Sequence, residues 1–111
     1  MNISIEKQGE VTVLAAEGRL DAVGAPEIEA SGKKIIQDGS KRLVVDMAKV
    51  SYISSAGLRC LLVLVKTMKT SGGTLVLCSL APAVHEVMAL SGFDAILSLA
   101  ADRSAAVGMF K

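Results

Sequence analysis

Val50-Ser51-Tyr52-Ile53-Ser54-Ser55-Ala56-Gly57-Leu58-Arg59 is the stretch on which the architecture turns. Just before it, Leu43-Val44-Val45 lies within Arg42–Met47 as a short continuous apolar run, the pattern of a central strand covered on both faces. Just after it, Leu58, Leu61, Leu62 and Val65 recur at i, i+3, i+4 and i+7, which predicts a helix over Leu58–Thr70 with those four residues facing inward. Residues Ser51–Ser55 then form the loop from a buried strand into an amphipathic helix, the repeating unit of an α/β fold.

Working outward, turn signals divide the rest of the chain into short elements. Asn2–Lys7 alternates Ile3 and Ile5 with polar residues, as an edge strand does; Gln8-Gly9-Glu10 is a hairpin turn and Val11–Ala16 the second strand. Gly18-Arg19-Leu20-Asp21 leaves the sheet. Ala25–Gln37 is a helix with Pro26 at its start, Glu27 and Glu29 early, Lys33 and Lys34 late, and an inward stripe of Ile28, Ser31, Gly32 and Ile35. Beyond the central helix, Thr74–Cys78 is a strand and Pro82–Leu90 a helix stopped by Ser91-Gly92. Ala95–Leu97 is expected as a short last strand and Ser104–Phe110 as a last helix. The order β-β-α-β-α-β-α-β-α predicts a mixed sheet of about five strands with about four helices against it.

Composition agrees. A length of 111 residues suits one domain spanning 1–111, able to bury about 65% of the surface its unfolded chain exposes. The chain is 51% hydrophobic but only 3% aromatic, an aliphatic core that fits a helix-covered sheet and offers no stacking platform for bases. A net charge of +1 leaves no basic excess for phosphates, so no nucleic-acid partner is expected. The longest apolar run, Cys60–Val65, is far short of the about 20 residues of a membrane span, and the N-terminus has no basic region leading into an apolar one. No membrane association is expected, and the cytoplasm is the expected location. Cys60 and Cys78 lack paired spacing and read as small buried hydrophobes rather than a disulfide. No long apolar edge strand stands out, so a monomer is expected.

Motifs for catalysis are missing. His85 is the sole histidine and no His/Cys/Asp cluster has metal-ligand spacing. There is no Gly-x-Ser-x-Gly elbow, and Gly72-Gly73 is not followed by the Gly-Lys-Ser/Thr of a phosphate loop. Asp21 and Asp46 are not paired as acid and base. The chain is read as a non-enzyme without metal or cofactor.

The serines carry more information. Two of them directly precede a helix, and serine is a favoured N-cap, so one of the pair has a structural role. Gly57 costs the helix up to about 1 kcal/mol relative to Ala, which suggests that something approaches the backbone closely there. A hydroxyl at this place also suits phosphorylation: the phosphate would carry about −1.5 to −2 charge beside the positive end of the helix, leaving the fold intact and changing the surface. On the helix itself, Val63, Leu64 and Met68 flank the stripe as ordinary packing or as an exposed patch for a partner, with Arg59 and Lys66 as rim charges steering an acidic one.

Ile53-Ser54-Ser55-Ala56-Gly57-Leu58 resembles the signature of the STAS domain, as found in bacterial anti-sigma factor antagonists. The opening hairpin, Gly18-Arg19-Leu20-Asp21, the apolar strand into Asp46, Ser71-Gly72-Gly73 and Ser91-Gly92-Phe93 follow the family order over essentially the whole chain. The resemblance implies the STAS fold and a partner-switching role. The unphosphorylated protein binds an anti-sigma factor that is also an ATP-dependent serine kinase, and so frees a sigma factor. Phosphorylation breaks the complex, and a metal-dependent serine phosphatase resets it. By motif position Ser55 is the implied phosphoacceptor, and Asp21 resembles a family acid that lies near that serine. Ser54 stands where many members have Asp, which keeps Ser54 as the second candidate, ahead of Thr67, Thr70 and Ser71. The implied partner surface is Asp21, Ser54, Ser55, Ala56, Gly57, Arg59, Val63 and Lys66. A STAS adaptor without phosphoregulation, such as the soluble subunit of a lipid transport complex or a signalling scaffold, is the alternative role.

Overall fold

The computed structural model describes residues 1–110. Its elements are β1 (Asn2–Gln8), β2 (Val11–Leu20), α1 (Ala25–Gln37), β3 (Arg42–Ile53), α2 (Ser55–Thr70), β4 (Thr74–Cys78), α3 (Pro82–Leu90), β5 (Ser98–Ala100) and α4 (Arg103–Gly108), with a 3-10 turn at Phe93–Ala95. The sheet runs in chain order, β1-β2-β3-β4-β5, antiparallel for the first pair and parallel for the rest.

That order explains the layering. Each parallel crossover advances one strand in the same direction, and right-handed crossovers that all advance one way put their helices on one face. Alternate residues of the strands accordingly separate. Leu14, Leu43, Val45, Met47, Leu75 and Leu77 pack with α1, α2 and α3, while Val11, Val13, Val44, Val76 and Cys78 face α4 on the other side. Leu43-Val44-Val45 is buried on both faces, as its continuous apolar run predicts. The short α4 covers part of its face only. Arg103 ties it down, its Nε 2.9 Å from Asp46 Oδ2 and its other end on Glu6 of β1. Asp46 therefore serves the back of the sheet and does not meet Asp21. Where α1 crosses α2, a Cβ on Gly32 would lie 2.6 Å from Leu64 Cδ2, so the glycine sets how closely the helices approach.

Several boundaries differ from the sequence expectation. β2 continues past Ala16 to Leu20, and β3 past Met47 to Ile53, so Ser51–Ile53 is strand and not loop. Alternation fades there because polar residues such as Glu17, Arg19, Lys49 and Ser51 interrupt the apolar ones and the register shifts between Ala15/Glu17 and Gly18/Arg19, with Gly18 at φ +121°. α2 begins at Ser55, not Leu58. The expected strand at Ala95–Leu97 is instead the last residue of the 3-10 turn followed by Ile96 in a turn and Leu97 in a bend, and the strand lies at Ser98–Ala100; α4 starts at Arg103, where the Asp102 side chain accepts from Ala105 N, and ends at Gly108. On α2 the inward face is Leu58, Cys60, Leu61, Leu64 and Met68; Leu62 and Val65 are only half-buried. Leu64 and Met68 belong to the core and cannot form a docking patch.

Candidate functional site

β2 and β3 leave the sheet side by side. Leu20 and Ile53 are the last paired residues, and Ser54 N donates to Leu20 O at 3.0 Å. Ser54, in extended conformation, is the N-cap of α2: its Oγ accepts from Gly57 N at 3.3 Å and its carbonyl accepts from Leu58 N at 2.9 Å. The next residue, Ser55, is exposed, and its hydroxyl takes part in no hydrogen bond among the described residues. The structural role of the serine pair thus falls to Ser54 alone. The glycine at position 57 has its reason too. A Cβ there would lie 2.4 Å from Leu20 O, so the first turn of α2 rests on the strand ends.

Asp21 directly follows Leu20. Its Oδ1 accepts from Val23 N and Gly24 N, each at 3.0 Å, closing the turn into α1. The bond from Gly24 is the main cause that holds its carboxyl below the ordinary aspartate value, with smaller help from Val23 and the Arg19 guanidinium. Arg19 Nε lies 3.6 Å from Asp21 Oδ2, and its guanidinium stacks 4.1 Å over the Tyr52 ring.

Six of the eight expected partner residues, Asp21, Ser54, Ser55, Ala56, Gly57 and Arg59, gather at the strand ends and the first turns of α2. Arg59 also helps line a groove of about 210 Å³ between the starts of α1 and α2, with Ala22, Pro26, Glu29 and Ala56. Val63 and Lys66 lie about 12 and 16 Å further along α2 at 1.5 Å per residue. Spacings of four, four and three nonetheless keep Ser55, Arg59, Val63 and Lys66 on one side of the helix, with Lys66 exposed and Val63 half-buried. The sequence reading missed Val23, 81% exposed beside Asp21, and the Arg19–Tyr52 pair. Val23 belongs to no periodic element. The Arg19–Tyr52 pair depends on cross-strand register.

The two thiols are unpaired and buried. Cys60 Sγ donates to Ala25 O at 3.4 Å, and burial pushes its thiol up to about 12. Burial also raises the Cys78 thiol. His85, the lone histidine, is exposed on α3. Among the described residues no group of three His, Cys, Asp or Glu is placed to hold a metal ion, and no helix is long and apolar enough to cross a membrane.

Comparison with known proteins decides the family. The STAS domain model matches residues 2–106. The chain belongs to the STAS domain family. The STAS chain is 36% identical over 111 residues to BtrV of Bordetella bronchiseptica, provisionally named an anti-sigma factor antagonist, covering all of this chain and 96% of that one. Its fold matches the crystal structure of an anti-sigma factor antagonist from Mycobacterium paratuberculosis, with TM-score 0.88 and 24% identity over 97% of this chain and 92% of that one. It also matches the Bacillus cell fate determinant SpoIIAA in its phosphorylated form, with TM-score 0.75 and 20% identity over 99% and 100% of the two chains. The mixed five-stranded sheet with four helices is the STAS fold.

Proposed function

We propose that this chain, as one STAS domain over 1–111, is an anti-sigma factor antagonist that works by partner switching. Unphosphorylated, it binds an anti-sigma factor with serine-kinase activity through Asp21, Ser54–Gly57, Arg59, Val63 and Lys66, and a sigma factor is released. The kinase transfers phosphate to Ser55, the complex parts, and a metal-dependent serine phosphatase restores the binding form. The protein acts in the cytoplasm as a monomer and performs no catalysis of its own. The name of the 36%-identical relative supports this reading.

One observation carries it. Ser54 is occupied as the cap of α2, which leaves Ser55 exposed at the first helical residue, its hydroxyl without a hydrogen bond among the described residues. A charge added there changes the surface without removing any hydrogen bond of the fold.

The test has two parts. Incubation with the serine kinases of the source cell and ATP should place one phosphate on Ser55, read by peptide mass. In pull-downs from that cell, wild type and Ser55→Ala should retain the same anti-sigma factor, and Ser55→Asp should lose it while folding normally. Absence of phosphate on Ser55 under every condition would support the adaptor role instead. Tight binding by Ser55→Asp would remove Ser55 as the switch.

A further inference from the structure

A phosphoryl group on Ser55 would meet one cation that the fold leaves free. Among the described residues, Arg19 pairs with Asp21 at 3.6 Å, Arg42 with Glu10 at 2.8 Å and Arg103 with Asp46 at 2.9 Å. Arg59, the remaining arginine, has no carboxylate partner among the described residues. It is exposed and stands four residues after exposed Ser55 on α2. Residues at i and i+4 hold their Cβ atoms about 5–6 Å apart, and an anion N-terminal to a cation is the favourable order. No acidic residue occupies the first turn of α2, and Glu29 of α1, which lines the same groove as Arg59, is engaged by Lys33 at 3.1 Å. The carboxylate of Asp21 is already engaged by two amides and Arg19. Arg59 also lines the groove between α1 and α2.

We propose that Arg59 is the internal receptor of a phosphoryl group on Ser55, so that phosphorylation draws this cation away from the groove it lines in the unmodified chain. The proposal rests on Ser55 as the acceptor. In the transfer, Ser55 Oγ bonds to the γ-phosphorus of ATP as the bond from that phosphorus to the bridging oxygen breaks. ADP leaves, and the hydroxyl proton passes to a base of the kinase. The guanidinium then donates N–H bonds to the phosphate oxygens, a charge-assisted arrangement suited to arginine's fork. The docking face changes in two ways at once. It gains about −1.5 to −2 charge, and it loses the free cation that would steer an acidic partner. Phosphate and acidic partner compete for the same side chain.

The experiment needs neither kinase nor partner. Phosphoserine is installed at position 55 of the full chain during translation, and 31P spectra follow the second ionisation of the phosphate. A cation at hand favours the dianion, so this pKa should lie below the value of about 6 for an unassisted phosphate. Arg59→Gln should raise it by about 0.2 to 0.4 of a pH unit, and Arg59→Lys should recover part of the difference. Lys69→Gln, about 21 Å from residue 55 along the helix, should leave it unchanged. Identical titrations for wild type and Arg59→Gln would overturn the proposal. A rise with Arg19→Gln and none with Arg59→Gln would do the same, moving the receptor to the end of β2. Failure of a kinase to modify Ser55 is read separately, by mass on the unmodified chain, and tells against the acceptor assignment.

Discussion

Gly57 stands directly on the carbonyl of Leu20: a Cβ at position 57 would lie 2.4 Å from that oxygen, 2.9 Å from Leu20 Cγ and 3.0 Å from Ile53 Cγ1. This contact sets the height of the first turn of α2 above the strand ends, and with it the position of Ser55. Gly57→Ala gains up to about 1 kcal/mol in helix propensity, but the nearest atom is backbone and cannot rotate away. Overpacking should prevail, with a net loss of about 2 kcal/mol in urea unfolding. A stabilised variant would show that the turn can lift freely.

The two serines separate by thermodynamics. Ser54→Ala removes the cap that Gly57 N donates to and should cost about 1 kcal/mol. Ser55→Ala removes no hydrogen bond and should stay within about 0.5 kcal/mol of wild type. Equilibrium denaturation distinguishes them; the reverse order of costs would make Ser55 the cap.

Arg103 holds α4 to the back of the sheet through Asp46, whose side chain is only 10% exposed. Arg103→Ala leaves that nearly buried carboxylate with the Ala48 amide alone and should cost about 1 to 2 kcal/mol. The loss should be local. Cys78, on the face that α4 covers, should react faster with a thiol reagent, while Cys60, between α1 and α2, should keep its wild-type rate. Equal acceleration of both thiols would indicate global unfolding instead.

Asp21 links stability to pH at the acid end. Its carboxyl is held below the ordinary value of 3.8, chiefly by the Gly24 amide. A group depressed in the folded state stabilises it above the unfolded pKa and loses that contribution as pH falls through the folded pKa. Wild type should therefore exceed Asp21→Asn in stability near neutrality, and the two should converge as pH falls below about 4. Denaturation series at several pH values would show it; parallel curves would mean that the charge at position 21 contributes nothing.

Much of this molecule is legible in its sequence. The periodicity of Leu58, Leu61 and their neighbours located α2, the run Leu43-Val44-Val45 located the buried strand, and Gly57 announced a close contact. The boundary errors have a physical cause. β2 and β3 extend through Glu17–Leu20 and Lys49–Ile53, where backbone pairing keeps the chain in strand although polar residues interrupt the apolar ones. For Leu64 and Met68 the packing alternative holds and the exposed-patch alternative fails: both are fully buried because α1 and β4 close over them.

The sequence by itself determined the order of elements, the strand buried on both faces and the serine pair at the start of α2, because burial patterns and cap chemistry are local properties of a chain. Only the tertiary structure decided which serine is spent on the fold and which arginine remains unpaired. The arginine answer depends on partners distant in sequence, and the serine answer on where the strand ends place a local cap. Leu20 receives the Ser54 amide, Asp21 engages Arg19, and Asp46 takes Arg103 from 57 residues away. Pairing across such distances is a matter of packing, and it is what leaves Ser55 and Arg59 free, one turn apart, on the same side of α2.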